Sequence, residues 1–328
     1  MIQLALKYMA KYFPILVPAT LVVGILIGDP LAVFAGLVPW MFAFVTFIGS
    51  LKMDFSALRK TLSRPRPIIL ILSVLRILMP LWALVVGYVV FPGDSYTRLG
   101  LLLFALIPVG VNSMVWTIAY RGNLPLDLSI VLLDTLVSPI VLPFSLLLLK
   151  GETISLDVPS MMASLLQMIV IPSILGMLVN QFSKGRLPQK WAPKLDPFSR
   201  IGLLVVILIN GANVSGHFRH IDLSMLAIMA AVCFLSISGY GMTWFLTRMA
   251  KLNREDTFAA VFCGGMRNVS TGIVIAVAYF PAAATVPVIF GILFQQLVCG
   301  FFAGHMSRFF EKEQFLKNQL KSRPADAV

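Results

Sequence analysis

Ten stretches of 17 to 25 residues, almost free of charge, recur from one end of this 328-residue chain to the other. They cover approximately residues 12–28, 31–50, 67–91, 98–120, 125–149, 159–182, 199–216, 223–247, 257–280 and 283–307. A bilayer core about 30 Å thick takes about 20 apolar residues per helix. With 59% of the residues hydrophobic and 12% charged, little chain is left for a soluble domain, and the expectation is an all-α integral membrane protein of ten transmembrane helices. Lys7 and Lys11 precede the first stretch and no small-residue cleavage pattern follows it, which predicts a retained helix rather than a removed signal peptide.

The formal charge of +12 is a topology signal, not a nucleic-acid footprint. Ten crossings put both termini on one side. Twenty-one Lys and Arg residues fall in the loops and tails of that side, and only Arg98, Lys150 and Arg219 in the opposite loops. By the positive-inside rule both termini are cytoplasmic, which suits a bacterial inner membrane. The bilayer is therefore the expected partner and nucleic acid is not. Oligomeric state leaves no mark in the sequence.

Two of the 26 basic residues, Arg76 and Arg267, fall inside apolar stretches, as do two of the 14 acidic ones, Asp127 and Asp134. An ionisable group at membrane depth is costly, so each is a candidate functional residue. Asp127 follows Pro125 by two residues, and a proline can open a helix at its first position, so a place at the water interface is open for it. Asp127, Val131, Asp134 and Ser138 share one helical face. Cys233, Cys263 and Cys299 show no paired spacing, which points to small core residues rather than a disulfide or structural metal site. Neither a Gly-rich phosphate loop nor a histidine with a local nucleophile is present.

The stretches at 98–120 and 257–280 share an oddity. The first runs "LLLFALIPVGVNSMVWTIAYRG", with Pro108, Gly110, Asn112 and Ser113 mid-span; the second runs "FAAVFCGGMRNVSTGIVIAVAYF", with Gly264, Gly265, Arg267, Asn268, Ser270 and Thr271. Both read as broken helices, in the fourth place of two five-helix halves, about 1–155 and 156–328. An odd number of crossings per half inverts the second relative to the first. Inverted repeats with interrupted helices in matching places point to the central site of a secondary transporter. Freed backbone groups there serve as ligands, helix N-termini for anions and exposed carbonyls for cations.

The ten-span plan, the run "NSMVWTIAYRGNLPLDLSIVLLDTLVSP" and the run "GGMRNVSTG" resemble the bile acid:sodium symporter family, within the wider bile/arsenite/riboflavin transporter superfamily. That resemblance implies one transmembrane unit over 1–328, with a panel of spans 1, 2, 6 and 7 and a core of spans 3–5 and 8–10. Spans four and nine cross at their breaks, and an organic anion moves by alternating access. Sodium is the ion the resemblance implies.

The ligand positions depart from that pattern. Ser113 is followed by Met114 where the family has Ser-Asn, with Asn112 as the nearest substitute amide. Asp127 and Val131 stand where a serine and a threonine are usual, Cys263 and Arg267 where a glutamate and a glutamine are usual, and Leu75 in place of a glutamine. Asn268 is retained. Sodium prefers hard oxygen ligands, whereas a guanidinium has only donors and the ion's own sign of charge. Both sodium sites therefore read as dismantled, leaving proton coupling or none as the alternatives.

Three roles are open for Arg267: a fixed ion pair with Asp127 or Asp134, direct binding of an anionic substrate, or a pair that opens when the aspartate takes up a proton. Candidate substrate-binding residues are thus Asn112, Ser113, Arg267 and Asn268. Candidate ion or coupling residues are Ser113, Asp127, Asp134, Cys263 and Arg267. Arg76 is a further candidate, as a partner for Asp134 or a cavity-lining group, and Gln295 as a polar group at membrane depth. The expected function is secondary transport of a bile-acid-like or small carboxylate anion. An arsenite-type exporter using Cys263 is the alternative, and a membrane enzyme with Asp127 and Asp134 a remoter one, because seven helical residues separate the carboxylates by about 10.5 Å.

Overall fold

The computed structural model describes residues 2–51, 53, 65–149, 157–218 and 222–321, with side chains placed at all of these except 2–14, 29, 217, 314 and 316–321. Lys52, Arg59, Lys60, Arg64, Lys150, Arg219 and Arg323 of the loop charge count lie outside the described residues. Within them the chain is helical, with no strand.

Twelve principal helices account for the apolar stretches. They are α1 (Ile2–Ile27), α2 (Pro30–Ser50), α3 (Pro65–Val90), α4 (Ser95–Leu106), α5 (Ser113–Ala119), α6 (Leu124–Leu149), α7 (Val158–Phe182), α8 (Arg186–Asn213), α9 (Leu223–Met249), α10 (Arg254–Gly265), α11 (Val269–Tyr279) and α12 (Ala282–Lys321). Seven of these, α2, α3, α6, α7, α8, α9 and α12, are long and apolar enough to cross a membrane. The stretches at 98–120 and 257–280 are each two helices, α4 with α5 and α10 with α11.

Two helices reach well beyond the stretches that announced them. Helix α8 starts at Arg186, not near 199, and α12 runs to Lys321, not 307. At 1.5 Å per residue the 40 residues of α12 span about 60 Å, twice a bilayer core. Hydropathy marks where lipid begins, but a helix continues past that point when one face still packs. Pro188 and Ala192 of α8 are buried one turn apart, while Lys190, Trp191 and Lys194 between and beside them are exposed.

Several helix starts carry a cap that the sequence supplies locally. Asp94, Asp157, Asp222 and Asn253 each accept from a backbone N–H three residues on, satisfying a donor the first turn leaves free. Prolines shape the interiors. Pro80 lacks an N–H, and its ring crowds the carbonyl four residues back, so α3 widens into a π-turn over Val74–Leu78. Arg76 sits in that turn.

Helix α8 packs along α1 and α2, and α2 along α7. A second set of contacts joins α3 to α4, α4 to α12, α9 to α10 and α12, and α10 to α5 and α6. Contact between the sets includes α8 against α11 and α6 against α7. Aromatic rings cluster in the second set, where Trp116 and Phe258 each touch both Tyr120 and Phe262.

Candidate functional site

The two broken segments meet at their breaks. Val109 and Arg267 form an isolated antiparallel bridge. Gly110 N donates to Met266 O at 3.1 Å, and Asn268 N donates to Pro108 O at 2.7 Å. Neither segment continues as helix here for a local reason: Pro108 has no donor, and the backbone of 107–110 and 266–268 turns extended. Backbone groups freed by a break at this depth must find partners in the protein, since lipid offers none. Each segment supplies the other. Only glycine fits at 110, because a Cβ there would lie 2.8 Å from the Arg267 carbonyl oxygen.

Side chains satisfy what the bridge leaves over. Arg76 on α3 donates from Nε to Asp134 Oδ1 at 2.7 Å, from Nη2 to the Asp134 carbonyl at 3.0 Å and from Nη1 to the Leu106 carbonyl at 2.8 Å. Asp134 accepts from Val109 N with its other oxygen at 2.8 Å. The pair therefore ties off the last carbonyl of α4 and the first amide after the break. On the opposite side Gln295 of α12 takes the Arg267 backbone at both ends, accepting from N at 3.0 Å and donating to O at 2.8 Å.

A second polar group lies beside the crossing. Asp127 is completely buried, so its helix-start position does not place it at a water interface. Ser113 Oγ donates to Asp127 Oδ1 at 2.7 Å, Thr117 Oγ1 bonds Oδ2, and the Cys263 thiol lies against the same carboxyl. All four residues of the expected α6 face, Asp127, Val131, Asp134 and Ser138, are buried.

Arg267 meets neither aspartate. It is 3% exposed, makes no ion pair within 4 Å among the described residues, and its Nη2 is buried without a hydrogen-bond partner. The expected fixed pair with Asp127 or Asp134 is thus not formed: Arg76 holds Asp134, and hydroxyls hold Asp127. Asn268 is a cap, accepting from Thr271 N at 3.3 Å at the start of α11. Asn112 is exposed and caps nothing, which removes it as a substitute amide beside Ser113 and Asp127. Thr117 was not among the expected site residues. Its place one turn after Ser113 on α5 was the signal that could have found it.

A polytopic helical bundle in which two interrupted helices exchange backbone bonds around buried charge defines a membrane transporter. The chain belongs to the Sodium Bile acid symporter family, whose model matches residues 39–220. It is 44% identical over 296 residues to "Uncharacterized protein YbaS" of Bacillus subtilis, covering 90% of this chain and 97% of that one. It is 24% identical over 289 residues to "Uncharacterized sodium-dependent transporter YocS" of the same organism, covering 86% and 88%. A plant relative is "Probable sodium/metabolite cotransporter BASS1, chloroplastic" of Oryza sativa, 28% identical over 186 residues, with 57% of this chain and 45% of that one covered. The protein is accordingly a membrane symporter of that family, and family membership speaks for transport rather than enzymatic chemistry.

Proposed function

We propose that the protein carries an organic anion across a bacterial inner membrane by alternating access, with the crossing of α4–α5 and α10–α11 as the substrate site. One observation carries this reading. Of the two arginines inside apolar segments, Arg76 is neutralised by Asp134, while Arg267 is buried at the crossing with a free Nη2. A guanidinium donates to carboxylate or sulfonate oxygens in a planar fork, so an anion is the chemical class that meets it.

The packing of α1, α2, α7 and α8 on one another supports a panel set against a core of α3–α6 and α9–α12. The two breaks in corresponding places support ten crossings in two inverted halves, about 1–155 and 156–328. The 21-to-3 bias of loop cations supports cytoplasmic termini. As a co-transported ion, sodium finds a poor ligand set here: beside Asp127, Ser113 and Thr117, the remaining positions hold Val131, Cys263 and Arg267, whose side chains offer no hard oxygen.

The test is uptake of radiolabelled taurocholate and of short carboxylates into proteoliposomes, for the wild type and Arg267→Gln. The expected result is saturable uptake that Arg267→Gln weakens at least tenfold while the circular dichroism and elution volume stay unchanged. Equal affinity in well-folded Arg267→Gln protein would remove Arg267 from the substrate site.

A further inference from the structure

We propose that Asp127 carries the coupling proton of this transporter, so that one proton and one monovalent anion cross together with no net movement of charge. The inference rests on the reading of the crossing as an anion site and deepens it.

The geometry of Asp127 is that of a buried acid without a cation. Its contacts are the Ser113 and Thr117 hydroxyls from α5 and the Cys263 thiol from α10, all neutral groups. No Lys, Arg or His lies within ion-pair distance of it among the described residues. The charged groups on the elements around it face elsewhere. From α3, Arg76 is bonded to Asp134 and to backbone. Arg66 at the start of α3 is exposed, as are Arg254 and Glu255 at the start of α10, where Asp256 is held by Asn123 and Asn253. At the crossing, Arg267 makes no bond to Asp127. Helices α5 and α7 bring no charged side chain at all. An ionised carboxylate in such a place has neither water nor a cation in contact with it, so the site can accept a proton. With a proton on the carboxyl, one of its two hydroxyl contacts reverses, the carboxyl donating and that hydroxyl accepting.

Charge balance then links this proton to the anion. The Arg76–Asp134 pair is neutral throughout. Summed over the crossing, the empty site is also neutral when Asp127 is ionised, one carboxylate against the one guanidinium that has no ion pair, although the two do not touch. A proton taken from water by the Asp127 carboxylate leaves the Arg267 charge uncompensated, and one monovalent anion restores neutrality. A proton without an anion, or an anion without a proton, leaves a net charge in the apolar interior. The two neutral states, empty and doubly loaded, are therefore the ones that reorient, and this couples the fluxes one to one. On the far side the anion leaves and the carboxylic acid returns its proton to water; no other bond changes.

The test is infrared difference spectroscopy of the protein in choline-buffered liposomes, titrated in pH. A protonated-carboxyl band that disappears on raising pH, is missing in Asp127→Asn and shifts in frequency in Asp127→Glu is the expected result. The glutamate variant keeps an acid in place, so the assignment does not depend on the asparagine variant folding. Persistence of the band in Asp127→Asn, or its loss at constant pH when sodium chloride replaces choline chloride, would overturn the proposal. In proteoliposomes, for whichever anion the uptake panel identifies, flux should follow the pH gradient and ignore a valinomycin-set potential; drive by the potential would overturn the electroneutral count. The band needs no substrate, so a failure of anion transport and a failure of proton carriage give different results.

Discussion

Arg76 and Asp134, 58 residues apart in sequence, are bonded at 2.7 Å, and between them they close the backbone on both sides of the break after α4. The pair is 12% and 0% exposed at its side chains, so it acts in a medium where an unpartnered charge is costly. Its structural task is the one a continuous helix would perform with its own hydrogen bonds.

Removing one partner therefore strands the other. Arg76→Gln and Asp134→Ala should each destabilise by about 3 to 5 kcal/mol, the usual cost of breaking a buried pair. The double variant Arg76→Met with Asp134→Leu should recover part of that loss but not all, because the Val109 amide and the Leu106 carbonyl remain unpaired. Thermal unfolding in detergent of the two singles and the double checks it. Additive losses would mean that the two side chains do not act as a pair.

Gln295 holds the other half of the crossing by the Arg267 backbone. Gln295→Leu leaves the buried Arg267 N–H without a partner, at about 1 to 3 kcal/mol, while the Arg267 carbonyl keeps the Val269 N–H at 2.9 Å. Gln295→Glu should be milder, keeping the acceptor for the Arg267 amide. A melting temperature for Gln295→Leu equal to that of the wild type would show that the clamp contributes nothing.

Two glycines should respond in opposite ways. A Cβ at Gly265 would stand 2.3 Å from the ring of the buried Tyr240, whereas at Gly304 in α12 nothing lies within 4 Å. Gly265→Ala should cost about 1 to 3 kcal/mol through overpacking. Gly304→Ala should leave stability unchanged or raise it by up to about 1 kcal/mol from helix propensity. Side-by-side melts of the two variants decide whether close approach at the end of α10 is a true constraint.

Sodium provides a fourth test. A ligand at about 100 times its Kd stabilises the folded state by roughly 2.7 kcal/mol. Exchange of choline chloride for sodium chloride at constant ionic strength should leave the melting temperature where it was, because Val131, Cys263 and Arg267 bring no hard oxygen to complete a site beside Asp127. A saturable, sodium-specific rise would mean that Asp127 and its hydroxyls hold the ion after all.

The chain alone pointed to both helix breaks, since Pro108, Gly110 and Asn112 and the run Gly264 to Asn268 put several polar and helix-weakening residues mid-span in matching places, whereas Pro139 and Pro143 without such company leave α6 continuous. It revealed the shared face of Asp127 and Asp134 as well, because that follows from helical spacing. The partner of Asp134 was narrowed to two arginines but not chosen. Which one reaches it depends on the π-turn before Pro80 and on how α3 lies against α6, and neither is local to the aspartate. Asn112 next to Ser113 suggested a ligand by adjacency, yet neighbours in sequence point different ways once α5 begins between them.

The long apolar helices and the polar residues within apolar segments were legible in the sequence itself, because the cost of exposing charge or unpaired backbone to lipid acts on each segment independently. The backbone exchange between 108–110 and 266–268, the double hold of Gln295 on Arg267 and the cation-free setting of Asp127 were decided only by the tertiary structure. Each depends on groups brought together from separate helices, where distance and direction, not residue type, determine which donor meets which acceptor.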